Sequence, residues 1–556
     1  MNSPIGLMLT ASVGLRRVVT GLHIASLFAL TGLASCVSAR SAAGPAAPGA
    51  IGSGAGFDIL LRNGRVLDGS GNAWVLADVG IRGNRIDAVG DLRTAAAATV
   101  LDVKGMYVAP GFIDTHSHAG GALAGRELSG ARALLAQGIT TVFVNPDGGG
   151  STDLVAQRTA LLEHGLGVNV ALMVPHGSVR GAILGMADRA PNAAELRRME
   201  ELVEQGLAAG AFALSSGPFY APGSYAKTDE LVALARVAAK YGAPYQSHIR
   251  DESDYGIGLL AAVEEVITVA REAGTRGVVT HIKALGPNVW GFSAAIVERI
   301  ERARGEGVEM FADQYPYEAS QTSLDAALVP RWAQADGNDS LRARIANPAT
   351  RARLISEMRA NLARRGGPAR IRIANHSADR SIEGRTLEEI AAQRNEDAVE
   401  TALAIVGRGG AGIVSFNMDD KDIERLMVQP WTMTSSDGAL IRSGEGVPHP
   451  RGNGAFSRKI RKYVVDDKVI DLSAAIRSMT SLPATVYRVP DRGSLRAGAL
   501  ADVVVFDLAR VKDMATYDQP HDMAEGMVHV LVNGRLAIRN GEFTDVLAGD
   551  VLQRSK

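Results

Sequence analysis

The chain has 556 residues, 46% of them apolar, enough to bury one large domain or two ordinary ones and too many for a disordered polymer. Its 59 basic and 60 acidic residues leave a formal charge of −1, so no long-range field favours a polyanion, and no stretch resembles a nucleic-acid module. The single cysteine excludes an intrachain disulfide.

Residues 1–36 stand apart. Arg16 and Arg17 precede the apolar run "VVTGLHIASLFALTGLAS", which ends at Cys36. This is export-signal architecture, interrupted and short for a spanning helix. "LASC", Leu33 to Cys36, resembles a bacterial lipobox, in which the cysteine becomes lipidated and N-terminal. The resemblance implies a lipoprotein of the bacterial cell envelope, anchored at Cys36 through several acyl chains, because one chain binds a membrane only marginally. Residues 37–56 are small, Gly/Pro/Ser-rich and aperiodic, as suits a flexible tether.

From Phe57, "FDILLRNGRVLDG" and "ADVGIRGNRIDAVGD" alternate and turn, which predicts short strands and hairpins over 57–110. Predicted strands then follow in the order "VAPGFID", "ITTVFVNPD", "VNVALMVPH", "AFALSS", "APYQSH", "GVVTHIK", "VEMFADQYPY", "RIRIANHS", "AGIVSFNM" and "PWTMTSS". Helical segments such as "TDLVAQRTALLEHG", "AAELRRMEELVEQGLAAG" and "GLLAAVEEVITVAREAG" separate most of them and end in glycine. Repeated β-then-α units favour a parallel sheet with helices outside it, an α/β fold of the (β/α)8 TIM type over 111–485, with an open doubly wound sheet as the structural alternative. About ten candidate strands for an eight-strand barrel require an insertion, placed at about 322–384, where the chain is irregular and Arg-rich. Residues 486–556 return to short strands, with Asn533-Gly534 between two apolar runs as a hairpin signal.

Chemistry-bearing side chains gather at strand ends. His116 and His118, at i and i+2 in "IDTHSH", point the same way because side chains in a strand alternate faces, and a first barrel strand delivers its end to the functional face. His248 closes "APYQSH" and His281 closes "VVTH", 33 residues on, about one β/α repeat. Asp437 closes "WTMTSSDG". Four imidazoles and a carboxylate at the ends of different strands suit a borderline divalent metal. His176 and His376 also follow strands and read as polar caps; His164 sits at a helix end, and His521 and His529 in the terminal β segment.

At these residues the chain resembles the N-acyl-D-amino-acid deacylases (D-aminoacylases) of the amidohydrolase superfamily, over nearly all of its length after the leader. The motifs that carry the resemblance are "PGFIDTHSH", "LSSGPFYAPGSYAKTDEL", "QSHIRDE", "THIKALGPNVWG", "DQYPYEAS", "EGRTLEEIA", "SSDG", "HPRGNGAFSR", "TSLPA" and "DRGSLRAGALADVVVFD". It implies a metal-dependent hydrolase barrel beside a small β-sandwich domain built from both chain ends, 57–110 and 486–556. It also implies Zn2+, one or two ions, on His116, His118, His248 and His281. Asp437 would be the catalytic aspartate, also at the metal. Lys283, Tyr315 and Arg451 would hold the substrate's carboxylate, and Tyr220 would stand beside the scissile carbonyl. Two cations and a phenol facing one anion is physically sensible.

The chain departs from the family at one ligand. The family has a cysteine after the second strand, whereas the matching segment "TTVFVNPDGGG" places Asp147 there, a carboxylate able to bind or bridge zinc with harder character. Asn145 is a weaker substitute, since a neutral amide neutralises no charge. Gln321 stands near a position where the family has a serine close to the substrate. The implied activity is hydrolysis of an N-acyl-D-amino acid, or a related N-acylated carboxylate, by metal-activated water, with Asp437 as general base and then general acid. Two alternatives are a cyclic amidase of the hydantoinase or dihydroorotase kind, although no lysine occupies a matching strand end, and a lipid-tethered binding protein without catalysis.

Overall fold

The computed structural model describes residues 56–554; the expected export signal, Cys36 and nearly all of the tether lie outside the described residues. Eight parallel strands form a barrel: β1 (Phe112–Asp114), β2 (Ile139–Val144), β3 (Asn169–Leu172, continued by Val174–Pro175), β4 (Leu214–Ser216), β5 (Tyr245–Ser247), β6 (Gly277–Val279), β7 (Met310–Gln314) and β8 (Thr432–Thr434). They pair in sequence order from β1 to β8. The seam between β8 and β1 is closed just beyond the strands: Asp437 N donates to His116 O and His118 N to Gly438 O, both at 2.8 Å, and Ser436 N donates to the Asp114 carboxylate at 2.8 Å.

The barrel strands read as unbroken apolar runs because helices cover their outer faces; every residue of β2 is buried. The helix Ala193–Ala208 shows how the covering layer is written. Asn192 and Glu195 form a capping box at its start, contributing about 1 kcal/mol. Met199, Val203, Gly206 and Leu207 are its buried residues, each buried aliphatic side chain contributing about 1.5–3 kcal/mol. The helix Leu259–Ala273 stops at Gly274, whose φ of 68° ends it in the left-handed region.

Between β7 and β8 the chain leaves the barrel for residues 319–416. There Ala319–Ser323 and Ile371–Asn375 both pair antiparallel with Gly412–Phe416. The unit includes the helices Pro348–Arg364 and Ala398–Gly407 and has a core of its own around Leu354, Ile373 and Ile413. The predicted strands "RIRIANHS" and "AGIVSFNM" belong to this unit, which runs past the expected segment of 322–384. A short apolar strand reads the same whether its neighbour is parallel in a barrel or antiparallel in an insert.

The two chain ends share one nine-stranded sheet. Phe57–Val66 pairs with Val75–Arg82 on one edge. On the other edge it pairs first with Ala97–Asp102 and then with Tyr107–Pro110, with Asn63 at φ 65° near the change of neighbour. Tyr107–Pro110 in turn pairs antiparallel with Val503–Phe506, which joins the ends. Met527–Val532 and Arg535–Arg539 form the hairpin around Asn533-Gly534. The tail then reaches the start of β3, where Val170 N donates to Asp550 O and Leu552 N to Val170 O, both at 2.8 Å.

Candidate metal centre and its cavity

The chemistry-bearing side chains follow the C-terminal ends of the strands. β1 stops at Asp114, so His116 and His118 lie in the bend beyond it, and the backbone bonds to Asp437 and Gly438 rather than strand alternation set their direction. Both point at Asp147: Oδ1 lies 3.2 Å from His116 Nε2 and Oδ2 3.3 Å from His118 Nε2. The same Oδ1 lies 3.3 Å from His281 Nε2 and 3.6 Å from His248 Nδ1. Asp437 Oδ1 sits 3.5 Å from His116 Nε2 and 3.2 Å from His118 Nε2. Two groups of donors result, one of His116, His118, Asp147 and Asp437 and one of Asp147, His248 and His281, with Asp147 in both.

The backbone is bent to make this convergence. Asp147, His281 and Asp437 have φ of 55°, 36° and 49°, a conformation that costs a non-glycine residue on the order of 1–3 kcal/mol and persists only where the surroundings enforce it. Two of the enforcing contacts are visible. Gly148 N donates to Ser215 Oγ at 3.0 Å, and Gly217 packs so closely that a Cβ there would stand 2.2 Å from Asp147 O. Asn145 is turned elsewhere: its Nδ2 donates to Gln157 Oε1 at 2.8 Å and Met173 O at 3.1 Å.

The electrostatics favour a cation. Burial alone would raise the Asp147 carboxyl, but His116, His118 and His248 outweigh it and hold the pKa well below the usual carboxylate range. Burial would likewise raise Asp437, and the Arg451 guanidinium together with His281 and His118 holds it far below. Burial and the Lys283 ammonium both depress the His281 imidazole, yet Asp437, Asp147 and Glu252 overcome them and lift it to about 10. The surrounding carboxylates thus draw positive charge onto the His281 ring.

A cavity of about 770 Å³ opens over these groups, and His118, Asp147, Tyr220, Lys283, Tyr315 and Arg451 all line it. Burial drives the Tyr220 hydroxyl far above its ordinary pKa, and it lies 3.2 Å from Thr322 Oγ1 of the inserted unit. The Tyr315 ring lies between two cations, 5.6 Å from Lys283 Nζ and 4.7 Å from Arg451 Cζ, and its buried hydroxyl has no hydrogen-bond partner. Both cations already have anions. Lys283 Nζ is 2.5 Å from Glu252 Oε1 and 2.7 Å from both His281 Nδ1 and His281 O, and Arg451 Nη1 is 2.6 Å from Asp437 Oδ2.

Glu252 is the functional residue that sequence reasoning missed. It is buried, 3.1 Å from His281 Nδ1 and 3.8 Å from His248 Nε2, and its only signal was membership of "QSHIRDE", where nothing distinguishes it from solvated charges. His449 was also passed over; it lines the cavity and accepts Arg451 N at 3.0 Å, while its own N donates to Gln321 Oε1 at 2.7 Å. His176 and His376 lie outside the two donor groups, bonded to Glu230 at 2.9 Å and Gly410 O at 2.8 Å.

Known proteins resemble this chain over most of its length. The profile described as "Amidohydrolase family" matches residues 99–538. The N-acyl-D-glutamate deacylase of Alcaligenes xylosoxydans xylosoxydans is 38% identical over 86% of this chain and 93% of its own length. The D-aminoacylase of the same organism is 33% identical over 90% and 98%. Among solved structures, the N-acyl-D-glutamate deacylase of Bordetella bronchiseptica, complexed with zinc and a phosphonate mimic of the tetrahedral intermediate, superposes with a TM-score of 0.77 at 34% identity, covering 90% of this chain and all of that one.

Proposed function

The chain belongs to the amidohydrolase family, and on that premise we propose that its cavity hydrolyses the amide bond of N-acyl-D-amino acids, releasing a carboxylic acid and a D-amino acid. The observation that carries this reading is the Asp147 carboxylate among four imidazoles with Asp437 beside it, in a chain that matches deacylases over most of its length.

The residues fit Zn2+. The donors are imidazole nitrogens and carboxylate oxygens, and the buried ring nitrogens of His116 and His248 have no hydrogen-bond partner. His116, His118 and Asp437 would hold one ion and His248 and His281 a second, with Asp147 shared between them. Bound there, the ion supplies Lewis acidity, making water nucleophilic near neutral pH and polarising the amide carbonyl.

The protein's own groups do the rest. Arg451 holds Asp437 Oδ2, which leaves Oδ1 facing the histidines to take the proton of the attacking water and return it to the leaving nitrogen. The amine needs that proton to depart. Tyr220, kept protonated by burial, exchanges its Thr322 contact for the developing oxyanion. Tyr315 offers its unpartnered hydroxyl to the substrate's carboxylate, with Arg451 and Lys283 on either side. With His281 Nε2 as a ligand, Nδ1 would carry the proton and donate to Glu252, and the Lys283 donor now on His281 Nδ1 would be freed for the substrate's carboxylate.

The test is hydrolysis of paired N-acetyl-D- and N-acetyl-L-amino acids, hydantoins and dihydropyrimidines by zinc-reconstituted protein. Turnover of the D-acyl amino acids and not their enantiomers is expected. Cleavage of the cyclic amides alone would overturn the reading, as would a fully metal-loaded protein inert to the whole panel.

A further inference from the structure

One buried carboxylate beside the metal centre has no part in the chemistry above. Asp313, in β7, is fully buried, belongs to neither donor group and does not line the cavity. Among the described residues no cation stands within 4.0 Å of it, and its Oδ2 is buried without a hydrogen-bond partner. Such a carboxylate is costly to keep, and an apolar side chain of similar volume would remove the cost. Stability of the fold therefore gives no reason for an aspartate here.

The other oxygen gives one. Asp313 Oδ1 accepts the His281 N–H at 2.8 Å and the Ser435 hydroxyl at 2.7 Å. The first bond, together with Ile282 N donating to Asp313 O at 2.8 Å, holds the backbone of His281 at its φ of 36°, a conformation that only the surroundings can maintain. Hydrogen bonds to an ionised acceptor are roughly twice as strong as neutral ones, so a carboxylate opposes that strain better than an amide. The second bond fixes Ser435, two residues before Asp437 in the turn after β8. The next residue, Ser436, is held instead by Asp114 at the end of β1, through both its N–H and its hydroxyl. Consecutive serines thus tie the turn that carries Asp437 to the strands on both sides of it. The tie to β7 is the one shared with His281, so a single oxygen atom links a residue of one donor group to the turn that supplies the other.

We propose that Asp313 is a positioning residue, which through Oδ1 sets His281 against the Asp437 turn and so governs zinc affinity and the placing of the general base together. The proposal rests on reading the cavity as a zinc-dependent deacylase site. Partners behind a metal ligand typically contribute about 10–100-fold in metal affinity or activity, and this one acts on the ligand's backbone rather than its ring.

The experiment titrates zinc into the metal-free full chain against a competing chelator and measures kcat of the zinc-loaded chain on N-acetyl-D-amino acids. Asp313→Leu, similar in volume but without an acceptor, weakens zinc binding by about 10–100-fold and lowers kcat with it. Asp313→Asn keeps the acceptor oxygen without the charge and falls between Asp313→Leu and wild type. A space-filling role gives the reverse order, with the leucine variant nearer to wild type. Ser435→Ala, which leaves the His281 bond in place, lowers kcat about tenfold with zinc affinity unchanged. Wild-type zinc affinity in Asp313→Leu, or the reverse order of the two Asp313 variants, overturns the proposal. If Asp313→Leu does not fold, Ser435→Ala decides, and an unchanged kcat overturns the proposal. Wild type that binds zinc but cleaves no N-acyl-D-amino acid sinks the deacylase reading alone, because the zinc titrations still test Asp313; wild type that binds no zinc sinks both.

Discussion

Asp147 and Asp437 are both carboxylates among histidines, but their neighbours give them different work. Asp147 is within 3.2–3.6 Å of all four imidazoles, so Asp147→Ala should strip bound zinc, measured by elemental analysis of the purified protein. Asp437 faces only the first pair and is turned toward the cavity by Arg451. Asp437→Asn should retain most of the zinc while kcat falls about 10²–10⁴-fold, the usual contribution of a positioned acid–base group. The opposite pattern, zinc lost from the Asn variant and kept by the Ala variant, would exchange the two roles. The four histidines and Asp437 were legible because each closes an apolar run, a one-dimensional mark of a strand end. Glu252 was not, because its pairing with Lys283 joins two loops 31 residues apart and leaves no periodic trace. For the same reason Lys283 could be expected at the site but not expected to be held there by an anion.

At the scale of elements, the helix Arg451–Arg458 continues into a π-helical segment, Lys459–Asp466, that carries a lysine into the interior. Lys459 is buried, donating to Thr434 Oγ1 and Ser478 Oγ at 2.9 Å, and burial pushes its pKa down to about 7. The unfolded chain keeps the ordinary lysine value of about 10.4. Between these values the unfolded state holds a proton that the folded state lacks, so stability rises with pH, by about 1 kcal/mol per unit. Urea unfolding at pH 7 and pH 9 should therefore show wild type gaining about 2 kcal/mol more than Lys459→Met over that interval. Equal gains would mean that the ammonium stays charged inside. The alternation of strand and helix was legible element by element, and so was the excess of strands over a barrel's need. Which strands were surplus was not, since pairing partners lie far away in sequence.

At the scale of the whole molecule, the last residues are structural. Val551 is 1% exposed, and residues 549–552 share three backbone hydrogen bonds with 166–170. One buried valine and three such bonds contribute about 3–7.5 kcal/mol together. A chain ending at Ala548 should thus unfold at a lower urea concentration with little change in slope, and an unshifted midpoint would show the tail to be a passenger. The β-rich character of both ends was legible; that they form one domain came from the family resemblance, and that they share one sheet came from the structure, because no local pattern records a pairing across some four hundred residues.

That pairing sets an order of events during synthesis. Tyr107–Pro110, the strand that leads directly into β1, acquires Val503–Phe506 as its neighbour only when the ribosome has added some four hundred further residues. Until then the growing polypeptide presents an apolar strand with a bare edge, the feature on which chaperones and other nascent chains act. Any product released early keeps that edge permanently, so quality control meets incomplete copies of this protein already marked by what they lack.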